Sequence, residues 1–277
     1  EDNVAIFSRN QWQFEKMTLA LGLRLDRIKQ ASQQRSTSEE NLNASISLKY
    51  PIASGFDVSL ELASGFRYPT LSERFFNSYT PRGYVQGNNN LTSETSIGSQ
   101  LNFDWFATDN VNIQAAFYHY DLDNYIERYE VKENFFSYQN LAKASISGFE
   151  TEIRWVVSEH VEHYFSYQQQ TGKDSEQHVL ADLHPKALRW VMLTHYKDLT
   201  LSNSVGYQFK TNNVALSESS RASAVVWNSS LSYQVNEQQE IGVTINNITN
   251  EHYYGSLDKE ASLQPQRSFH LSTNWRF

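Results

Sequence analysis

Three guanidiniums, two phenols and two carboxamides fall in one short stretch of the chain: Arg67, Arg74, Tyr79, Arg82, Tyr84, Asn88 and Asn90. Arg pairs bidentately with carboxylate or catecholate oxygens, a phenol ring offers a stacking face, and a carboxamide both donates and accepts. The set suits non-covalent capture of an anionic, oxygen-rich ligand better than it suits catalysis. Acids are plentiful elsewhere, as in Asp121-Leu122-Asp123 and Glu150-Thr151-Glu152, but carboxylates at i and i+2 simply line one face of a strand. His119, His160, His163, His178, His184, His195, His252 and His270 are scattered without ligand spacing, although His178 and His184 fall in one loop. The sequence contains no Gly-rich phosphate loop, Gly-x-Ser-x-Gly elbow or His-Glu-x-x-His pattern, and it has no cysteine. The expectation is a binding protein and not an enzyme, with no metal site and no cofactor.

The elements that carry these residues are strands. Period-two alternation recurs along all 277 residues, the mark of strands with one apolar and one polar face. Leu19, Leu21, Leu23 and Leu25 alternate with Arg24 and Asp26; Leu42, Ala44, Ile46 and Leu48 alternate with Asn43, Ser45, Ser47 and Lys49. Leu101, Phe103 and Trp105 oppose Gln100, Asn102 and Asp104, and Ile241, Val243 and Ile245 oppose Gly242, Thr244 and Asn246. About 13 segments follow, near 1–10, 14–29, 41–50, 56–68, 95–106, 111–126, 140–156, 161–172, 186–196, 199–211, 222–235, 240–248 and 266–277. Mean hydropathy is −0.59 although aromatics make up 14% of the chain, and no apolar run reaches the roughly 18 residues of a spanning helix. A polar chain this rich in Tyr and Trp fits a soluble β-protein with aromatic surfaces, or a barrel whose side chains face lipid and a wet lumen by turns. The net charge of −8 disfavours a nucleic-acid partner.

The connections favour the barrel. Short turns near 107–110, 158–160, 197–198 and 236–239 alternate with long loops near 30–40, 69–94, 127–139, 173–185, 212–221 and 249–265, the asymmetry of periplasmic turns and extracellular loops in outer-membrane barrels. Trp12, Trp105, Trp155 and Trp275 lie beside short turns or the chain end, where amphipathic indoles form an interfacial girdle. Counting back from a last strand that descends, segment 1–10 also descends. Barrels of this class begin and end on the periplasmic side, so the sequence is expected to be a piece of a larger barrel. The guanidiniums and tyrosines then sit at the extracellular mouth, where Arg67 and Glu73 equally suit a structural role, pinning the loop to the rim.

Particular motifs carry a family resemblance. Gly65-Phe66-Arg67-Tyr68-Pro69-Thr70-Leu71-Ser72-Glu73-Arg74, followed by Gly87-Asn88-Asn89-Asn90-Leu91, resembles the Phe-Arg-Ala-Pro and Asn-Pro-Asn-Leu boxes of TonB-dependent receptors. Ile146-Ser147-Gly148-Phe149-Glu150 is similar to that family's Gly-Phe-Glu strand start, and Ile245-Asn246-Asn247-Ile248-Thr249-Asn250-Glu251-His252-Tyr253-Tyr254 to its Asn-Ile-Asn-Lys-Tyr-Tyr segment. The last nine residues, ending in Phe277, resemble the strand signal read by the barrel assembly machinery. Tyr68 and Asn89 depart from the usual Ala and Pro of the boxes. The resemblance implies an all-β, antiparallel transmembrane barrel, of which residues 1–277 supply the C-terminal portion, about 12–13 strands of about 22. It also implies an outer-membrane location in a Gram-negative bacterium. The implied activity is TonB-dependent uptake of a scarce solute, foremost a ferric siderophore, with partners in outer-membrane lipid and in the TonB complex through a plug domain that these residues do not include. A passive porin-like channel, a soluble lectin-like or propeller protein, and a receptor for cobalamin, nickel, oligosaccharide or haem are the alternatives. Haem is disfavoured because no His lies between the two boxes.

Overall fold

The structure is a computed structural model that describes residues 1–31, 36–81 and 83–276. Thirteen strands run side by side in chain order: Asp2–Gln13 (β1), Thr18–Ala31 (β2), Ser36–Ala53 (β3), Phe56–Arg67 (β4), Glu94–Thr108 (β7), Val111–Lys132 (β8), Phe135–Ser158 (β9), Val161–Asp174 (β10), Ala187–Tyr196 (β11), Leu199–Gln208 (β12), Ala224–Asn236 (β13), Gln239–Asn246 (β14) and Ser268–Trp275 (β15). Each pairs antiparallel with its neighbours, and β1 and β15 form the two open edges. Two short strands, Asn77–Thr80 (β5) and Gly83–Gln86 (β6), form a hairpin that joins the sheet off this path, β6 lying parallel to β9. The one helix among the described residues is Leu71–Phe75 (α1).

Alternation decides which way each side chain points. Leu19, Leu48, Leu60, Leu101 and Phe117 sit opposite one another through successive registers, so one face of the sheet is a continuous apolar band. Phe103, Phe117 and Phe149 extend it as a chain of ring contacts at 6.1 and 4.5 Å. Leu21, Leu23, Leu60 and Trp105 stay exposed, because all the described strands belong to this one sheet and no second sheet covers its apolar face. An exposed apolar band of this size marks a face that is covered by protein or by hydrocarbon, and in outer-membrane barrels it is the face turned to lipid. The opposite face carries Asn102, Gln114, Glu150, Gln168 and Arg189, which line a concave space of about 780 Å³.

Two inward glycines receive tyrosine rings. A Cβ on Gly148 would stand 2.1 Å from Tyr118 Cζ, and one on Gly98 would stand 2.4 Å from Tyr120 Cε1. Each ring therefore lies flat over the backbone of the next strand, which covers the glycine and keeps the inner wall smooth.

The sequence segments and the observed strands agree in number and order, but their outer ends differ. The expected loop at 127–139 is strand, because β8 and β9 continue to Lys132 and from Phe135 and turn at Glu133-Asn134. The expected loop at 30–40 is likewise mostly strand, with 32–35 outside the described residues. The 69–94 loop folds into α1 and the β5–β6 hairpin.

Candidate functional site: the long-loop mouth

The long-loop end of the sheet is where the family-like boxes fold, and their residues build one rim. Thr70 caps α1: its hydroxyl accepts from the Glu73 amide at 3.1 Å, while the Glu73 carboxylate accepts from the Thr70 amide at 2.7 Å. The Thr70-x-x-Glu73 spacing is the capping-box pattern. The same Glu73 accepts from Arg67 Nη1 at 3.0 and 2.9 Å, and Arg67 Nε and Nη2 reach Glu94 at 2.7 and 2.8 Å. Arg67 thus clamps the end of β4 to α1 and to the start of β7. Hydrogen bonding to Glu94 holds its guanidinium above the usual arginine range, with burial opposing and Glu73 adding to the shift.

Arg74 lies deeper. It is 1% exposed, donates to Thr37 Oγ1 at 2.8 Å, to Glu39 at 3.2 Å and to the Leu91 carbonyl at 2.7 Å, and stacks over the Tyr68 ring at 4.6 Å. Its Nε has no hydrogen-bond partner among the described residues. Glu39 also accepts a short hydrogen bond from the Ser93 hydroxyl, so α1, β3 and the approach to β7 meet at one buried ion pair. Tyr68, which replaces the family's usual Ala, supplies both the ring under Arg74 and a hydroxyl 2.9 Å from Thr37 Oγ1. Gly87 permits the close return of the chain, since a Cβ there would stand 2.7 Å from the Arg74 backbone.

The other residues of the sequence set separate. Asn88 donates to the Tyr138 carbonyl at 2.9 Å and accepts from the Asn90 amide at 2.9 Å, so it holds the loop to β9. Asn90 is exposed. Tyr79, 81% exposed, makes an edge contact with Tyr84 at 5.0 Å, and Tyr84 stacks on Phe135 at 5.4 Å. Arg82 and Phe277 lie outside the described residues. Arg67 and Arg74, read from sequence as ligand-facing guanidiniums, are engaged by carboxylates of the rim. The alternative reading of Arg67 and Glu73 as a pin describes their geometry.

Sequence reasoning missed a second half of the mouth. Glu218, buried, accepts from the Asp182 and Ala215 amides at 2.9 and 3.1 Å. Arg221 donates to the Ser256 and Asp258 carbonyls at 3.2 and 2.5 Å and lies 4.0 Å over the Tyr254 ring. Arg128 on β8 reaches Asp258 at 2.9 Å. Asn247, at φ 52°, is the base of the last loop: its side chain bonds the Glu251 and Pro265 carbonyls and the Glu251 amide at 2.9, 3.2 and 2.9 Å. Its place in the Asn-Asn-Ile-Thr-Asn segment was the available signal, since Asn tolerates that backbone region.

At the other end, Trp12, Trp105, Trp155 and Trp275 all lie at the short-turn rim and are 43–55% exposed. Trp105 is in register with Phe56 and Ile113, and Trp155 with Val111 and His163.

Comparison with known proteins agrees with this architecture. The family described as "TonB dependent receptor-like, beta-barrel" matches residues 1–248. The vitamin B12 transporter BtuB of Vibrio cholerae is 23% identical over 288 residues, covering 99% of this chain and 42% of its own length. Among solved structures, the copper transporter OprC superposes with a TM-score of 0.84 at 17% identity over 99% of this chain and 47% of that one. The ferripyoverdine receptor of Pseudomonas aeruginosa superposes with a TM-score of 0.75 at 15% identity, over 99% and 38%. The chain spans less than half the length of these proteins. With its single curved sheet, apolar outside and polar inside, the chain belongs to the β-barrel family of the TonB-dependent receptors.

Proposed function

We propose that the chain forms the C-terminal wall and mouth of a Gram-negative outer-membrane receptor that takes up a scarce, bulky solute, foremost a ferric siderophore. Energy comes from the TonB complex acting through a plug supplied outside residues 1–277. The outward apolar band supports residence in outer-membrane lipid, with the four rim tryptophans as its interfacial girdle; the strand signal ending in Phe277 supports insertion by the barrel assembly machinery. The observation that carries the reading is the contrast of that band with a polar concave face topped by an elaborate mouth. A passive porin needs no knit extracellular cap. Capture would fall to the Tyr79–Tyr84–Phe135 ladder and Asn90, with Arg67, Arg74 and Asn88 holding their platform.

One observation favours a second ligand class. Arg67 and Arg74 are already paired with Glu73, Glu94 and Glu39, which weakens the case for an anionic chelate and favours a bulky ligand bound by stacking and amide contacts, such as a corrinoid. Cells expressing the complete receptor, with and without TonB, separate the readings by uptake of labelled ferric siderophores and of cyanocobalamin. Saturable, TonB-dependent ferric uptake is expected. Cyanocobalamin uptake alone moves the ligand to the corrinoids, and TonB-independent, non-saturating flux of either overturns the receptor reading.

A further inference from the structure

The loop that joins β14 to β15, residues 247–267, does not rest beside its own strands. Asp258 near its middle pairs with Arg128 on β8, 130 residues away in sequence, at 2.9 Å. β8 and β14 are six strand positions apart in the sheet, about 29 Å along the arc at the usual spacing. The loop therefore crosses the concave side as a chord. Tyr253 lines the inner space together with Asn102, Glu150, Gln168 and Arg189, which places the loop over the lumen.

Its fastening is specific. The Asp258 carboxylate is 9% exposed and Arg128 26% exposed; a half-desolvated pair of this kind holds firmly while both partners are present and becomes a liability when one is removed. Lys259 approaches Glu130 on the same strand at 3.8 Å. The neighbouring 209–223 loop braces the crossing, because the Ser219 amide donates to the Leu257 carbonyl at 2.8 Å and Arg221 holds the Ser256 and Asp258 carbonyls. Asn247 fixes the near end, since its side chain closes the base of the loop onto Glu251 and Pro265. The segment is thus fixed at its root, braced by the 209–223 loop, and fastened to β8 at its far side chiefly through Arg128 and Asp258, with Lys259 and Glu130 beside them.

We propose that residues 247–267 form a strap across the mouth, latched by Arg128 and Asp258, and that release of this latch opens the lumen to solutes from the cell exterior. The proposal deepens the uptake reading, yet its test needs no transported ligand, so the two fail separately. The sequence has no cysteine, so a Gln168→Cys reporter on the inner wall of the complete receptor is the only thiol contributed by this region. Its labelling by a membrane-impermeant maleimide on intact cells reads access past the strap. Labelling is expected to be slow in the latched receptor, about tenfold faster with Arg128→Gln, and slow again with Arg128→Lys, which keeps the charge. Heat-modifiable gel migration checks that each variant has formed its barrel. Equal labelling rates in all three, or a fast rate with Arg128→Lys equal to that of Arg128→Gln, overturns the latch.

Discussion

The wall and the mouth of this molecule are stabilised by different means. Along the wall, nearly all side chains are half-buried or exposed, and order comes from the hydrogen-bonded ladder and from which way each residue points. In the mouth, side chains are properly buried: Tyr68, Leu91, Ile126, Leu180 and Leu257 on the apolar side, Arg74, Glu94, Glu218 and Asn247 on the polar side. The nearest thing to a globular core therefore sits outside the membrane-spanning region. A wall tolerates any residue of the right polarity, whereas the mouth depends on particular partners.

The sharpest way to break that contrast is Arg74→Ala. It leaves the Leu91 carbonyl without its buried donor and the partly exposed Glu39 without its cation, a loss of about 1–3 kcal/mol. The 69–94 loop should become sensitive to protease added to intact cells, while the barrel keeps its heat-modifiable migration. Loss of both together would mean that wall and mouth are one cooperative unit.

Gly148→Ala probes the wall. The new methyl collides with the Tyr118 ring, and displacing a packed ring costs about 1–3 kcal/mol. A lower unfolding midpoint in urea with a protease-resistant mouth is the expected pair of results; cleavage at the mouth would show that strain in the wall travels upward.

The smallest effect is one of pH. Burial holds Glu127, on the extracellular part of β8, above the usual carboxylate range, with Asp174 reinforcing the shift and Gln139 opposing it. The folded mouth then binds a proton more readily than the unfolded chain, so its stability rises as pH falls from neutral through the folded pKa and levels off below the unfolded one. Amide exchange in β8 around Glu127 should slow modestly between pH 7 and pH 5, and Glu127→Gln should abolish that dependence. Faster exchange on acidification would reverse the assignment.

Legibility in the sequence followed the same division. Leu19, Leu21 and Leu23 announced their strand because the bilayer enforces one polarity per face, and all thirteen wall strands could be read that way. The β8 and β9 extensions could not: Tyr125-Ile126-Glu127-Arg128-Tyr129-Glu130 carries charge on both parities, since a strand standing in water has no face that must be apolar. The mouth's ion pairs join residues far apart, 27 positions for Arg67 and Glu94, 35 for Arg74 and Glu39 and 130 for Arg128 and Asp258, and no local spacing reveals such partners. Arg67 and Arg74 therefore read equally as ligand contacts or as structural residues, because Glu94 and Glu39 lie too far along the chain to be recognised as their partners. The capping box at Thr70 and Glu73 was local, and the sequence did mark Glu73 as a pin.

The length of β8 has a further consequence. It has 22 residues, and about 10 suffice to cross the hydrocarbon, so about 12 residues, or about 40 Å of strand path, carry the Glu133-Asn134 turn beyond the spanning segment. That turn is tied to the ladder, since the Tyr84 amide donates to the Asn134 carbonyl at 2.9 Å and Tyr84 is in register with Phe135. A change in the length of the β8–β9 hairpin would therefore carry the stacking rings with it, while the register of the wall below stays set by its alternation.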